Sequence, residues 1–122
     1  MLKQRTIKQS VHAIGIGVHS GEKVRMTLRP AEANTGIAFL RSDVNSAHNK
    51  VPALADYVAD TTLSTSIADG SLQVATVEHV MSALWGLGID NLLIELSSEE
   101  VPIMDGSAAP FINMINSVGI VE

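Results

Sequence analysis

The chain has 122 residues with 8 Lys and Arg against 13 Asp and Glu, and the net charge of -5 excludes a nucleic-acid surface, as do the few aromatic rings available for base stacking. Apolar residues make up 46% and charged ones 17%, which excludes a disordered protein and predicts that part of the outside is covered. With no cysteine there is neither a disulfide frame nor a thiolate metal site, so any metal must rest on His, Asp or Glu. The length fits one domain, residues 1–122, with a single core.

In chain order, Met1 to Thr6 lacks the long apolar run of a signal peptide, and no stretch approaches the length of a membrane-spanning helix. A soluble domain is expected. Lys3 to Lys8 and Ser10 to Gly15 alternate loosely and lead into the turn Gly15-Ile16-Gly17-Val18-His19-Ser20-Gly21. Its glycine spacing fits neither nucleotide fingerprint. Glycines at alternate positions leave one face of the strand bare, which permits close approach by a neighbouring backbone or a ligand. His19 is displayed at its end, either for function or as a polar turn residue.

Lys23 to Arg29 alternates strictly, with Val24, Met26 and Leu28 turned inward and Pro30 ending the pairing. Gly36 to Arg41 reads as its return partner, and Ser42 to Pro52 as a surface loop with His48 solvated. Ala53 to Ala59 is either a strand or an irregular edge. Thr62 to Ile67 reads as a strand, and Asp69-Gly70 supplies a hairpin turn into Leu72-Gln73-Val74. The hydroxyls of Thr61, Thr62, Ser64, Thr65 and Ser66 suit either a polar groove or an exposed strand.

Thr76 to Gly88 reads as a helix of about three turns, with Thr76 as N-cap and Gly88 or Gly86 as the left-handed end. Val77, Val80, Met81, Leu84 and Leu87 form its core stripe. Opposite lie Glu78, His79, Ser82, Ala83 and Gly86, a face whose small residues suggest that another surface comes close. At a helix N-terminus the unpaired amides and the dipole favour a carboxylate such as Glu78 and disfavour a charged imidazole at His79. A neutral imidazole is the form that binds metal. On spacing alone the commoner reading of the pair is a first-turn Glu favoured by the dipole beside an exposed His. Ala83 stands where a His-Glu-x-x-His zinc helix needs its second ligand, so that motif is absent.

After the Asp90-Asn91 turn, Leu92 to Leu96 has the continuous apolar character of a central strand, and Ser97 to Glu100 is acidic and expected to be exposed. A second helix follows, with Asp105 or Ser107 as cap, Pro110 in its first turn, Phe111, Ile112, Ile115 and Val118 as its stripe and Gly119 closing it. Asp105 is a metal ligand only in principle; capping is the commoner use. Five or six short strands followed by helices predict an α+β two-layer sandwich, a mixed or antiparallel sheet of about five strands with both helices on one face.

Four motifs occur together in this order: Gly15-Ile16-Gly17-Val18-His19-Ser20-Gly21, Thr76-Val77-Glu78-His79, Gly86-Leu87-Gly88-Ile89-Asp90-Asn91, and Val101 to Phe111. In them, and in its Lys3-Gln4-Arg5-Thr6 start, the chain resembles the UDP-3-O-acyl-N-acetylglucosamine deacetylases over essentially its whole length, matching the first of that family's two domains. The resemblance implies a cytoplasmic zinc hydrolase of Gram-negative bacteria acting on an acylated UDP-glucosamine on the way to lipid A. It implies Glu78 as the general base, His79 as one of three protein zinc ligands, and His19 with Thr62, Leu63 and Ser64 along the substrate cleft. The family's carboxy-terminal domain supplies the remaining ligands, so this chain alone is expected to be inactive. The alternative is a non-catalytic binding or scaffold module that uses the bare helix face to hold a partner.

Overall fold

Alternation along Lys23–Pro30 decides which way the main sheet faces: Val24, Met26 and Leu28 are fully buried, while Lys23, Arg25 and Arg29 are exposed. The structure, a computed structural model, describes residues 3–18, 20–45, 48–53, 58–60, 65–69 and 72–122. In chain order the elements are β1 (Thr6–Ile7), β2 (Val11–Ile16), β3 (Lys23–Pro30), β4 (Ile37–Arg41), β5 (Lys50–Pro52), β6 (Val58–Asp60), β7 (Thr65–Asp69), β8 (Leu72–Ala75), α1 (Glu78–Leu87), β9 (Leu92–Leu96), α2 (Ala109–Val118) and β10 (Ile120–Val121).

The main sheet has five strands in the order β2-β3-β9-β4-β5, and β6-β7-β8 and β1-β10 form two smaller sheets. Met26 pairs with Leu96, Leu28 with Ile94, and Phe39 with both Ile94 and Val51, so these side chains share one face. On that face they join Val80 and Leu84 of α1 and Phe111 and Ile115 of α2 in one core, which makes the α+β two-layer sandwich. The outer face is polar, with Arg29 Nε 3.2 Å from Glu95 Oε1.

Four local expectations are corrected. β4 is not the return partner of β3. β9 lies between them, antiparallel to β3 and parallel to β4. A parallel neighbour requires a long crossover, and the chain from β5 through α1 provides it. The loop after β4 ends in a short strand, β5, paired with β4. In the β7–β8 hairpin Asp69 is the last strand residue, paired with Leu72, so the two connecting residues are 70 and 71, which lie outside the described residues. Ala83 is fully buried and belongs to the core, leaving Ser82, Trp85 and Gly86 as the bare side of α1, with Trp85 71% exposed.

The ends of both helices follow the glycines. Gly88 adopts φ 70 and its amide caps α1 through the carbonyls of Leu84 and Trp85, while Gly119 closes α2. The turn after α1 is clipped to the start of the chain: the Arg5 amide donates to Asp90 Oδ2 at 2.9 Å, and Asn91 Nδ2 donates to Gln4 Oε1 at 2.8 Å. Among the described residues no helix is long and apolar enough to cross a membrane.

Candidate functional site at the start of the first helix

The first two residues of α1 are Glu78 and His79, both half-buried, with Glu78 Oε1 shielded from solvent. Thr76 is not the N-cap. Val77 occupies that position with helical backbone angles and no capping side chain, while Thr76 takes φ 62 and turns its hydroxyl to the buried carboxylate of Glu100 at 2.7 Å. A hydroxyl donating to a carboxylate makes a stronger bond than a hydroxyl accepting from backbone amides, so the Thr76 side chain is turned away from the start of the helix.

Glu100 and Ser98 also depart from expectation. The segment Ser97 to Glu100 is not uniformly exposed: Ser98 is 5% and Glu100 1% exposed. Glu100 is drawn inside by a parallel bridge to Ala75 at the end of β8 and by the Ser20 amide, which donates to its Oε1 at 3.0 Å. The glycines at 15 and 17 leave room for this arrangement. A Cβ at Gly15 would lie 2.8 Å from Pro102 Cβ, and one at Gly17 would lie 2.5 Å from Glu100 Oε1. The bare face of β2 is therefore met by the chain from Glu100 to Met104, with the Ile103 amide donating to the Ile16 carbonyl at 2.9 Å.

Beside this contact an open groove of about 530 Å³ is lined by Ile14, Ile16, Ile103, Met104, Pro110 and Asp105. Ile14, Ile16 and Val18 remain about half exposed. Asp105 does not cap α2 directly: Ala108 holds the cap position without a capping side chain. Instead Asp105 Oδ1 accepts the Ser107 hydroxyl at 2.7 Å and the Ser107 amide at 3.0 Å, and Ser107 Oγ accepts the Ala109 amide at 3.2 Å. The Ser107 hydroxyl holds the Asp105 carboxyl below its ordinary range; burial opposes this, and the Ser107 amide and the charge of His79 add to it.

A group depressed in the folded state stabilises fully above its unfolded pKa and loses that contribution as the pH falls through the folded one. In an NMR titration the Ser107 amide should therefore shift with a midpoint below 3.8; a midpoint at or above 3.8 would remove the hydrogen bond as its cause.

His48 is exposed, on the loop before β5. His19, Thr62, Leu63 and Ser64 lie outside the described residues. Among the described residues no group of three His, Asp or Glu side chains can hold a metal ion. An open zinc site needs three protein ligands, so the donors described in this chain do not by themselves fit one. Sequence reasoning assigned Thr76 to the helix cap and Glu100 to the surface, and so missed the bond between them. The available signal was the pair of glycines at 15 and 17, whose missing side chains require a partner surface.

The profile of the UDP-3-O-acyl N-acetylglycosamine deacetylase family matches residues 4–122. The chain is 57% identical over 122 residues to a UDP-3-O-acyl-N-acetylglucosamine deacetylase of Chromohalobacter salexigens and 56% identical over 122 residues to that of Coxiella burnetii strain RSA 493. To the enzyme of the same name from Pseudoalteromonas atlantica it is 60% identical over 124 residues. Each comparison covers 100% of this chain and 40% of the relative's length. With an α+β layer whose first helix opens on an acid and an imidazole, the chain belongs to the UDP-3-O-acyl N-acetylglycosamine deacetylase family.

Proposed function

We propose that this chain forms the amino-terminal part of an enzyme that removes the acetyl group from UDP-3-O-acyl-N-acetylglucosamine in the cytoplasm of a Gram-negative bacterium, on the route to lipid A. Glu78 is the general base and His79 one of three protein ligands to zinc, the other two coming from a carboxy-terminal domain. His19, Thr62, Leu63 and Ser64 contribute to the substrate cleft. Zinc, when bound, supplies an acidified water at near-neutral pH. The part of this chain is to offer one imidazole and a carboxylate shielded from bulk solvent as proton acceptor.

The observation that carries this reading is the pairing of half-buried Glu78 and His79 at the start of α1, with Glu78 Oε1 shielded from solvent. Family membership supports it, as does the 40% share of the relatives' length that the chain spans. Exposed Trp85 and half-exposed Ile14, Ile16 and Val18 give a second domain apolar surface to cover.

Mixing this chain with the separately produced remainder of a relative tests the proposal. Hydrolysis of the acetyl group should return in the mixture and be absent from the chain alone. Association without turnover would instead identify a binding module. Calorimetry adds a check on His79: tight one-to-one zinc binding by this chain alone that survived His79→Ala would remove it as a ligand.

A further inference from the structure

Glu100 is a buried carboxylate that joins two segments far apart in sequence. Its Oε1 accepts the Ser20 amide at 3.0 Å in the glycine turn after β2, and its Oε2 accepts the Thr76 hydroxyl at 2.7 Å two residues before α1. Its backbone belongs to the same junction: the Ala75 amide donates to the Glu99 carbonyl at 2.7 Å, and the Val101 amide donates to the Ala75 carbonyl at 3.0 Å. Burying a carboxylate is costly unless its oxygens are hydrogen-bonded, and packing alone would be served better by an apolar side chain. The arrangement therefore needs a reason other than packing.

Thr76 provides one. Its φ of 62 lies in the left-handed region, which β-branched residues rarely adopt and which persists only where the surroundings impose it. The next residues are Val77 at the cap and then Glu78 and His79. The cap residue Val77 makes no side-chain hydrogen bond to α1, and Thr76 is the residue between the end of β8 and that cap. The Glu100 carboxylate is what Thr76 is tied to, and it fits because Gly17 has no side chain.

We infer that Glu100 is a positioning residue, acting through Thr76 to orient the Glu78–His79 pair and through Ser20 to hold the glycine turn against the same junction. The inference rests on the reading of Glu78 as the general base. Near-attack geometry is sensitive to displacement of about an ångström, so loosening the tie should lower turnover more than affinity.

The test uses the full-length, zinc-loaded enzyme that carries this segment. Thr76→Val removes the hydroxyl and keeps the shape. It should lower kcat by roughly ten- to a hundredfold with KM within about twofold, and Thr76→Ser should restore kcat. Glu100→Asp, which withdraws the carboxylate by one methylene, should show the same split and takes over the test if Thr76→Val fails to fold. Wild-type kcat in Thr76→Val or Glu100→Asp overturns the inference, as does a Thr76→Ser enzyme as impaired as Thr76→Val. So does a loss accounted for by the unfolded fraction in thermal melts. Glu78→Gln is assayed in parallel. If it retains turnover, the reading of Glu78 fails; if it is inactive while Thr76→Val and Glu100→Asp behave as wild type, only the positioning role fails.

Discussion

Glu78→Gln in the reconstituted or full-length enzyme is expected to lower kcat by about 10²- to 10⁴-fold, the contribution usual for a positioned general base. The amide keeps the shape and size of the carboxyl group but accepts no proton. Position 78 is the first residue of α1 and only half-buried, so the fold should survive the change. KM should stay within a few-fold, because the lost interaction belongs to the transition state. Steady-state kinetics beside a circular dichroism spectrum check both points. A folded variant with kcat within threefold of the parent would transfer the proton-accepting role to another group.

Phe39→Ala should destabilise the chain by about 3–5 kcal/mol, a large share of the roughly 5–15 kcal/mol that holds a domain of this size together. Phe39 is fully buried on β4, paired with Ile94 of the central strand on one side and Val51 of β5 on the other. Truncation removes the ring from the middle of the layer, where strands on both sides limit collapse into the space. By contrast, Ser82→Ala on the exposed side of α1 should change stability by no more than about 0.5 kcal/mol. Urea denaturation followed by circular dichroism measures both, and a loss below about 1.5 kcal/mol for Phe39→Ala would place the ring outside the cooperative core.

Much of the layer is legible residue by residue. Val24, Met26 and Leu28 face inward as their alternation requires, and Gly88 and Gly119 end the helices where a positive φ is wanted. The bareness of Gly15 and Gly17 is explained by the segment that packs on them. What misled was the use of local signals for non-local questions. Thr76 has the chemistry of an N-cap, and three residues of acid and hydroxyl before Glu100 look like solvent-facing chain. Both readings assume that nothing else competes for those groups. The fold sets the Thr76 hydroxyl against the Glu100 carboxylate, and the local preferences of each lose to the bond between them.

By itself the sequence determined the helix over the Glu78–His79 pair, the second helix behind Pro110, the inward face of β3 and membership of a deacetylase family. The elements rest on period and capping glycines, which act within a few residues, and the family on motifs spaced along the whole chain. Only the tertiary structure decided that β9 enters between β3 and β4, that Ala83 belongs to the core, and that Glu100 sits inside. Each of these depends on which distant segment arrives alongside. The partners of the Glu100 carboxylate come from 24 and 80 residues away, so the segment that carries it does not announce its burial, and the trace it leaves is in the missing side chains of Gly15 and Gly17.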